Sequence, residues 1–184
     1  MQRELVLRAA TGDHEAFASL AIGAYPRLHR TAWLILRRED LASDAIQEAL
    51  ASAWLHIRAV RDPDRFDAWL NRLVVRACYQ ELRRAKHGLI EVHIDAIEPT
   101  SIDDSAASLA DRDQLERGFA RLSVEHRAVI VVHHYLGLPD GEAAMVLDVP
   151  VGTYKSRLNR AHVSLRAALE ADMRVGAIGK ESIA

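Results

Sequence analysis

The sequence predicts an all-α protein of two small helical domains joined by a flexible linker, and three features carry that expectation. Apolar residues recur at three- and four-residue intervals along most of the 184 residues, while strand-like alternation is nearly absent. The periodicity collapses once, from His87 to about Leu109, where Gly88, Pro99 and Thr100-Ser101 stand among Glu91, Asp95, Glu98, Asp103 and Asp104. Beyond that gap, residues 137–161 read as a short helix, a tight turn and a longer basic helix, the pattern of a helix-turn-helix.

Each element follows in order. Leu5, Val6, Ala9 and Ala10 open a helix that breaks at Thr11-Gly12-Asp13, with Asp13 placed to cap the next one, which carries Ala16, Phe17, Leu20, Ile22 and Leu28. Leu34, Ile35 and Leu36, then Leu41, Ala45, Ile46, Ala49, Leu50, Ala53, Trp54 and Ile57, continue the helical spacing. Asp62-Pro63 starts another helix, whose buried stripe is Leu70, Leu73, Val74, Ala77 and Leu82. Residues 1–86 are thus one helical domain and residues 87–110 an acidic linker. Spacing resumes at Leu115, Phe119, Leu122, Val129, Ile130, Val132 and Leu136, with Ser123 and Glu125 near a helix start. In the last helix Val151, Tyr154, Leu158, Ala161, Leu165 and Leu169 are expected to face the core of a second domain, residues 111–170. From Ala171, with Gly176 and Gly179, the helical signal stops, and residues 171–184 are expected to be a disordered tail.

Composition narrows the function classes. There is no run of about 18 apolar residues and no apolar leader at the N-terminus, which predicts a cytoplasmic protein without membrane insertion. Cys78 stands alone, so neither an internal disulfide nor a zinc pair is available to it, and a buried apolar role on a helix is expected. His133-His134 are adjacent and therefore point about 100 degrees apart on a helix, without a further ligand at metal spacing. Glu125-His126 lacks the second histidine of a zinc-protease motif, and no phosphate loop, dinucleotide fingerprint or nucleophile elbow occurs. The expectation is no catalytic residue, no metal and no cofactor.

The net charge of -2 conceals an uneven distribution. Residues 1–86 hold 14 Lys+Arg against 11 Asp+Glu, residues 87–111 none against 6, residues 112–170 8 against 7, and the remainder 2 against 2. A basic front, an acidic middle and a basic final helix average to near neutrality, so affinity for free DNA should be modest. The final helix nevertheless carries Lys155, Arg157, Arg160 and Arg166, side chains able to neutralise phosphates and reach guanine edges.

Two blocks carry a family resemblance. The segment Asp44-Ala45-Ile46-Gln47-Glu48-Ala49-Leu50-Ala51-Ser52-Ala53-Trp54, followed by Phe66-Asp67-Ala68-Trp69-Leu70-Asn71-Arg72-Leu73 running on to Glu81-Leu82-Arg83-Arg84, resembles the first conserved domain of bacterial sigma factors of the extracytoplasmic function (ECF) type. The C-terminal block, with Gly152-Thr153-x-Lys155-Ser156-Arg157-Leu158, resembles their second domain, so the likeness runs from about residue 3 to residue 170. It implies a sigma-2 four-helix bundle and a sigma-4 helix-turn-helix, together forming an alternative sigma factor. Such a protein binds core RNA polymerase and directs it to specific promoters in a stress or signal response, commonly under an anti-sigma partner.

The same resemblance implies roles residue by residue. Ser156, Asn159 and Arg160 would meet bases of the -35 element while Thr153, Lys155 and Arg157 hold phosphates. Arg65, Arg72, Arg76, Gln80, Arg83 and Arg84 would lie along the -10 element, with residues 60–66 shaping a pocket for an unstacked base. Arg76 and Gln80 stand where many members have Asn and Asp, which bears on the base read there. Asp44, Gln47, Glu48 and Trp54, on a helix rich in small residues that could pack closely on a partner helix, would grip the polymerase. Asp95, Glu98, Asp103 and Asp104 of the linker could imitate phosphates in the channel that nascent RNA later occupies. Read from the residues alone, each arginine also fits an ordinary solvated surface, and Asp40 and Asp44 fit an acidic helix start that favours the macrodipole. The alternative reading is a stand-alone helix-turn-helix regulator, dimeric on a palindromic operator; the weak net charge and the lack of a heptad seam argue against it.

Overall fold

The computed structural model describes the backbone of residues 1–87 and 106–181 and the side chains of residues 1–84 and 113–171. The linker carboxylates Asp95, Glu98, Asp103 and Asp104 lie outside these residues. Every regular element among the described residues is helical.

Four helices form the first unit: α1 (Gln2–Ala10), α2 (His14–Leu36), α3 (Glu39–His56) and α4 (Phe66–His87). The break at Gly12 is a turn with φ of 102°, a left-handed backbone that favours glycine. Asp13 caps α2, its carboxylate accepting the Ala16 N–H at 3.0 Å; that bond first, and Arg8 second, hold the carboxyl below its usual range. Between α3 and α4 the chain makes two single 3-10 turns, Ile57–Ala59 and Pro63–Arg65, and the Asp62 carboxylate accepts the Asp64 N–H in the second. Val6, Leu28, Ile35, Ile46, Phe66, Leu70 and Val74 fill the core.

The small residues of α3 are used inside the domain. Ala42, Ala45, Ala49 and Ala53 are buried, and α3 packs on both α2 and α4, so this stripe brings neighbouring helices of the same bundle together. The expectation that it would receive a partner's helix is therefore corrected: a stripe without side-chain bulk is filled first by the helices tethered beside it. Of the residues of α3 expected to meet the polymerase, Asp44 and Gln47 are exposed, while Glu48 and Trp54 are half-buried.

The second unit comprises α5 (Ala106–Ala120), α6 (Val124–Ile130), α7 (Asp140–Val146) and α8 (Val151–Glu181). Ser123 caps α6 by accepting the His126 N–H at 3.3 Å. After α6 the coil widens into a π turn over Val131–Tyr135, and Gly137 with φ of 62° releases the chain toward α7. Phe119, Val129, Val132, Leu147, Tyr154 and Ala161 are core. Val151, expected inside, is 44 % exposed. At its far end α8 continues beyond residue 170 to Glu181. Ala171, Met173 and Arg174 favour helix, and Gly176 and Gly179 cost about 1 kcal/mol each without forcing a turn.

Candidate nucleic-acid interface

The helix-turn-helix is built by one unusual backbone position. Asp148, after α7, takes a left-handed conformation with φ of 54°. It allows Val149 N–H to reach the Ala144 carbonyl at 3.1 Å and Asp148 N–H the Met145 carbonyl at 3.3 Å, closing α7 in a Schellman-type turn. Pro150 then starts α8, its carbonyl accepting the Tyr154 N–H at 2.9 Å. Tyr154 locks the new helix to the core: it is fully buried and its hydroxyl lies 3.1 Å from His133 Nδ1. Burial, and then the neighbouring Asp140, push its phenol up to about 12.

With Tyr154, Leu158 and Ala161 inward, the opposite side of α8 presents Lys155, Ser156, Asn159 and Arg160 to solvent, while Thr153 and Arg157 are half-buried. Lys155 Nζ lies 3.4 Å from Asp140 Oδ2. The Ser156 hydroxyl donates to the Thr153 carbonyl at 3.0 Å, and Arg160 folds back on Ser156, donating to its carbonyl at 3.3 Å and its hydroxyl at 3.4 Å. These are short-range bonds within one helix, easily exchanged for bonds to a base edge or a phosphate.

The cations of α4 are placed differently. Arg72 is ion-paired with Glu142 of α7. Arg83 lies 3.3 Å from Asp148, and Tyr79 accepts from Arg157 at 3.3 Å. Arg76, Tyr79, Gln80 and Arg83 line one wall of a cleft of about 200 Å³ whose other wall is Met145, Val146, Leu147 and Asp148. Arg65 is exposed outside this contact. Arg84 bonds Glu48 at 2.8 Å and Glu81 at 2.5 Å, and these carboxylates, Glu48 foremost, raise its affinity for its proton. One expected polymerase residue thus pairs with one expected -10 residue. Trp54 is half-buried, 4.3 Å from the His14 ring and 5.1 Å from Phe17.

Sequence reasoning passed over the residues that join the two units. Arg127 of α6 is only 5 % exposed. Its Nε donates to the Ile35 carbonyl at 2.8 Å and its Nη2 to Leu36 at 3.4 Å, while Nη1 donates to Leu122 at 2.7 Å and Ala120 at 3.4 Å. One guanidinium therefore caps the C-terminal carbonyls of α2 and of α5 together. Burial, reinforced by nearby Arg37, pulls its pKa down to about 10. The signal was present: Arg127 stands between Val124 and Val131 at helical spacing, a cation on an apolar stripe.

Comparison with known proteins places this geometry. Sigma-70 region 2 matches residues 22–88 and Sigma-70 region 4 matches residues 112–165. The ECF RNA polymerase sigma factor SigM of Mycobacterium tuberculosis is 34% identical over 166 residues, covering 90% of this chain and 83% of SigM. This chain belongs to the ECF RNA polymerase sigma factors. SigW of Bacillus subtilis is a more distant relative, 24% identical across 92% of this chain and 97% of its own. Among solved structures, CnrH in complex with the cytosolic domain of CnrY is similar with a TM-score of 0.57 and 28% identity, covering 93% of this chain and 98% of CnrH. The sigma factor RpoE of Bartonella quintana, solved with the anti-sigma factor NepR, shares the fold with a TM-score of 0.66 at 24% identity, over 85% of this chain and 98% of RpoE. The protein is an alternative sigma factor, of a family of transcription initiation factors rather than enzymes. Region 2 spans α2 to α4 and region 4 ends within α8, so both sets of candidate DNA contacts fall inside matched segments. Among the described residues, no helix is long and apolar enough to cross a membrane.

Proposed function

We propose that this sigma factor acts by binding alone, bringing core RNA polymerase to promoters through three surfaces. Asp44 and Gln47 of α3, with Glu48 and Trp54 behind them, hold the polymerase. Arg65, Arg72, Arg76, Gln80, Arg83 and Arg84 serve the -10 element, the arginines mainly as phosphate contacts, and residues 60–66 shape the pocket for an unstacked base. On α8, Ser156, Asn159 and Arg160 read the -35 element while Thr153, Lys155 and Arg157 hold its backbone. The linker carboxylates Asp95, Glu98, Asp103 and Asp104 occupy the polymerase channel later taken by RNA. An anti-sigma protein restrains the factor until a stress or other signal releases it, in the cytoplasm where polymerase works.

The observation that carries this reading is the polar strip of α8, presented to solvent behind a correctly closed helix-turn-helix in a chain that also holds region 2. Base edges supply the specificity and phosphates the orientation, which is what a strip alternating Ser and Asn with Lys and Arg provides. The test is reconstitution of the full chain with bacterial core RNA polymerase on a genomic promoter library. Defined start sites appearing only with both proteins, preceded by two shared motifs about two helical turns apart, are the expected result. Tight sequence-specific binding by the chain alone, with no transcripts, would replace this reading with the stand-alone regulator.

A further inference from the structure

Arg37, at the end of α2, is largely buried yet poorly partnered. Its side chain is 13% exposed. Nη1 is buried with no hydrogen-bond partner, and Nη2 lies 4.0 Å from Glu116 Oε2, too far for a hydrogen bond. Its remaining contact is with Trp33, whose ring centroid is 5.1 Å from the guanidinium carbon. Burial lowers the pKa of Arg37, and Glu116 offsets that only in part. The backbone is special as well. Arg37 ends α2 in the left-handed region, with φ of 54° and its N–H donating to the Trp33 carbonyl at 2.8 Å, at a position that glycine fills without strain. A buried donor left unmatched on a strained backbone calls for a partner.

The space for that partner is a cleft of about 240 Å³. Arg30, Leu34 and Arg37 of α2 line one side, and Phe119, Val131 and Leu165 of the second unit line the other. Its charge is positive on balance, since Arg30 and Arg37 share it with the single carboxylate of Glu116. Arg127 stands near enough to Arg37 for the two cations to repel, which adds to the excess. We propose that this cleft binds a small organic acid, with an apolar body of about one ring between the aliphatic and aromatic walls and a carboxylate on Arg37.

Size and charge select that class of ligand. An apolar cavity of about 150 Å³ accommodates benzene, so 240 Å³ has room for one ring, a short spacer and a carboxylate. The two oxygens of a carboxylate match the planar fork of a guanidinium. A single negative charge also costs less to desolvate against apolar walls than a phosphate dianion. Glu116 does not compete strongly for Arg37, because at 4.0 Å and 42% exposed it can turn to water. None of the residues that line this cleft is assigned to promoter DNA or to core polymerase, so the proposal stands apart from those assignments.

Isothermal titration of the full chain with hydrocinnamate tests the site, with hydrocinnamamide as a probe of the same shape without the charge. The acid should bind at one site with a dissociation constant below about 1 mM, and the amide at least about tenfold more weakly, the loss of one charge-assisted hydrogen bond. Arg37→Met keeps the bulk and removes the charge, and should bring the acid down to the level of the amide. In the unaltered chain, nuclear Overhauser contacts should run from the phenyl protons of the acid to the methyl groups of Leu34, Val131 and Leu165, a readout that holds even if Arg37→Met does not fold. Failure of the acid to saturate, equal affinity for acid and amide, undiminished acid binding by folded Arg37→Met, or ligand contacts elsewhere on the chain would each overturn the proposal.

Discussion

The cations of α4 and those of α8 are chemically alike but differently engaged. Arg72, Arg83 and Arg84 are held by carboxylates of this chain, and on α8 Lys155 likewise lies beside Asp140, whereas Arg160 bonds only its own helix through Ser156 and Asn159 stands at the surface. The number of basic residues on a helix therefore says little about its readiness to meet DNA. What decides it is whether a protein carboxylate already occupies the phosphate position, a matter of domain arrangement rather than of helix sequence.

Substitutions can break or sharpen that contrast. The largest effect should come from Tyr154→Ala, which empties the fully buried anchor of α8 and costs about 3–5 kcal/mol of region 4 stability. Calorimetry should show region 4 melting early and -35 binding lost while α4 keeps its fold. Arg160→Ala should weaken promoter recognition by about 1–3 kcal/mol and leave core binding intact, read by competition between promoters. An equal loss of both would remove Arg160 from the base-reading strip. Glu142→Gln frees Arg72 from a partly exposed partner, so the gain in single-strand binding by α4 should be under about 1 kcal/mol and should shrink with added salt.

The smallest effect is set by pH. Burial first, then the adjacent His133 and His162, hold the His134 imidazole below its ordinary value of 6.5. A folded-state pKa below the unfolded one means that the unfolded chain takes up the proton first. The stabilising contribution is therefore present above about pH 6.5 and is lost as pH falls through the lowered value. Thermal melts between pH 7.5 and 5.5 should show this decline, and His134→Gln should flatten it.

Most of the fold was legible because it is local. The caps at Asp13 and Ser123, the break at Gly12 and the helix-turn-helix turn are each specified within a few residues, and each forms as expected. The outward strip of α8 followed from the inward period of Tyr154, Leu158 and Ala161. What stayed hidden depends on distant partners. Arg127 finds Ile35 across 92 residues of chain, and Arg72 finds Glu142 across 70, separations that periodicity does not address. The burial of the alanines of α3 was readable as apolar spacing, yet nothing in a single helix tells which neighbour will fill a small-residue stripe. The continuation of α8 was missed because an absent stripe is no helix breaker.

Asp148 joins these themes in a way that bears on how such a protein can evolve. It holds the left-handed turn of the helix-turn-helix and, with the same side chain, faces Arg83 of the other domain. Glycine there would relieve about 1 kcal/mol of left-handed strain and give up a similar amount through its freer unfolded chain. The fold would be almost indifferent to the exchange. An aspartate codon becomes a glycine codon by a single base change, so one mutation, nearly silent for stability, removes this exposed contact with Arg83 without altering a residue assigned to reading DNA.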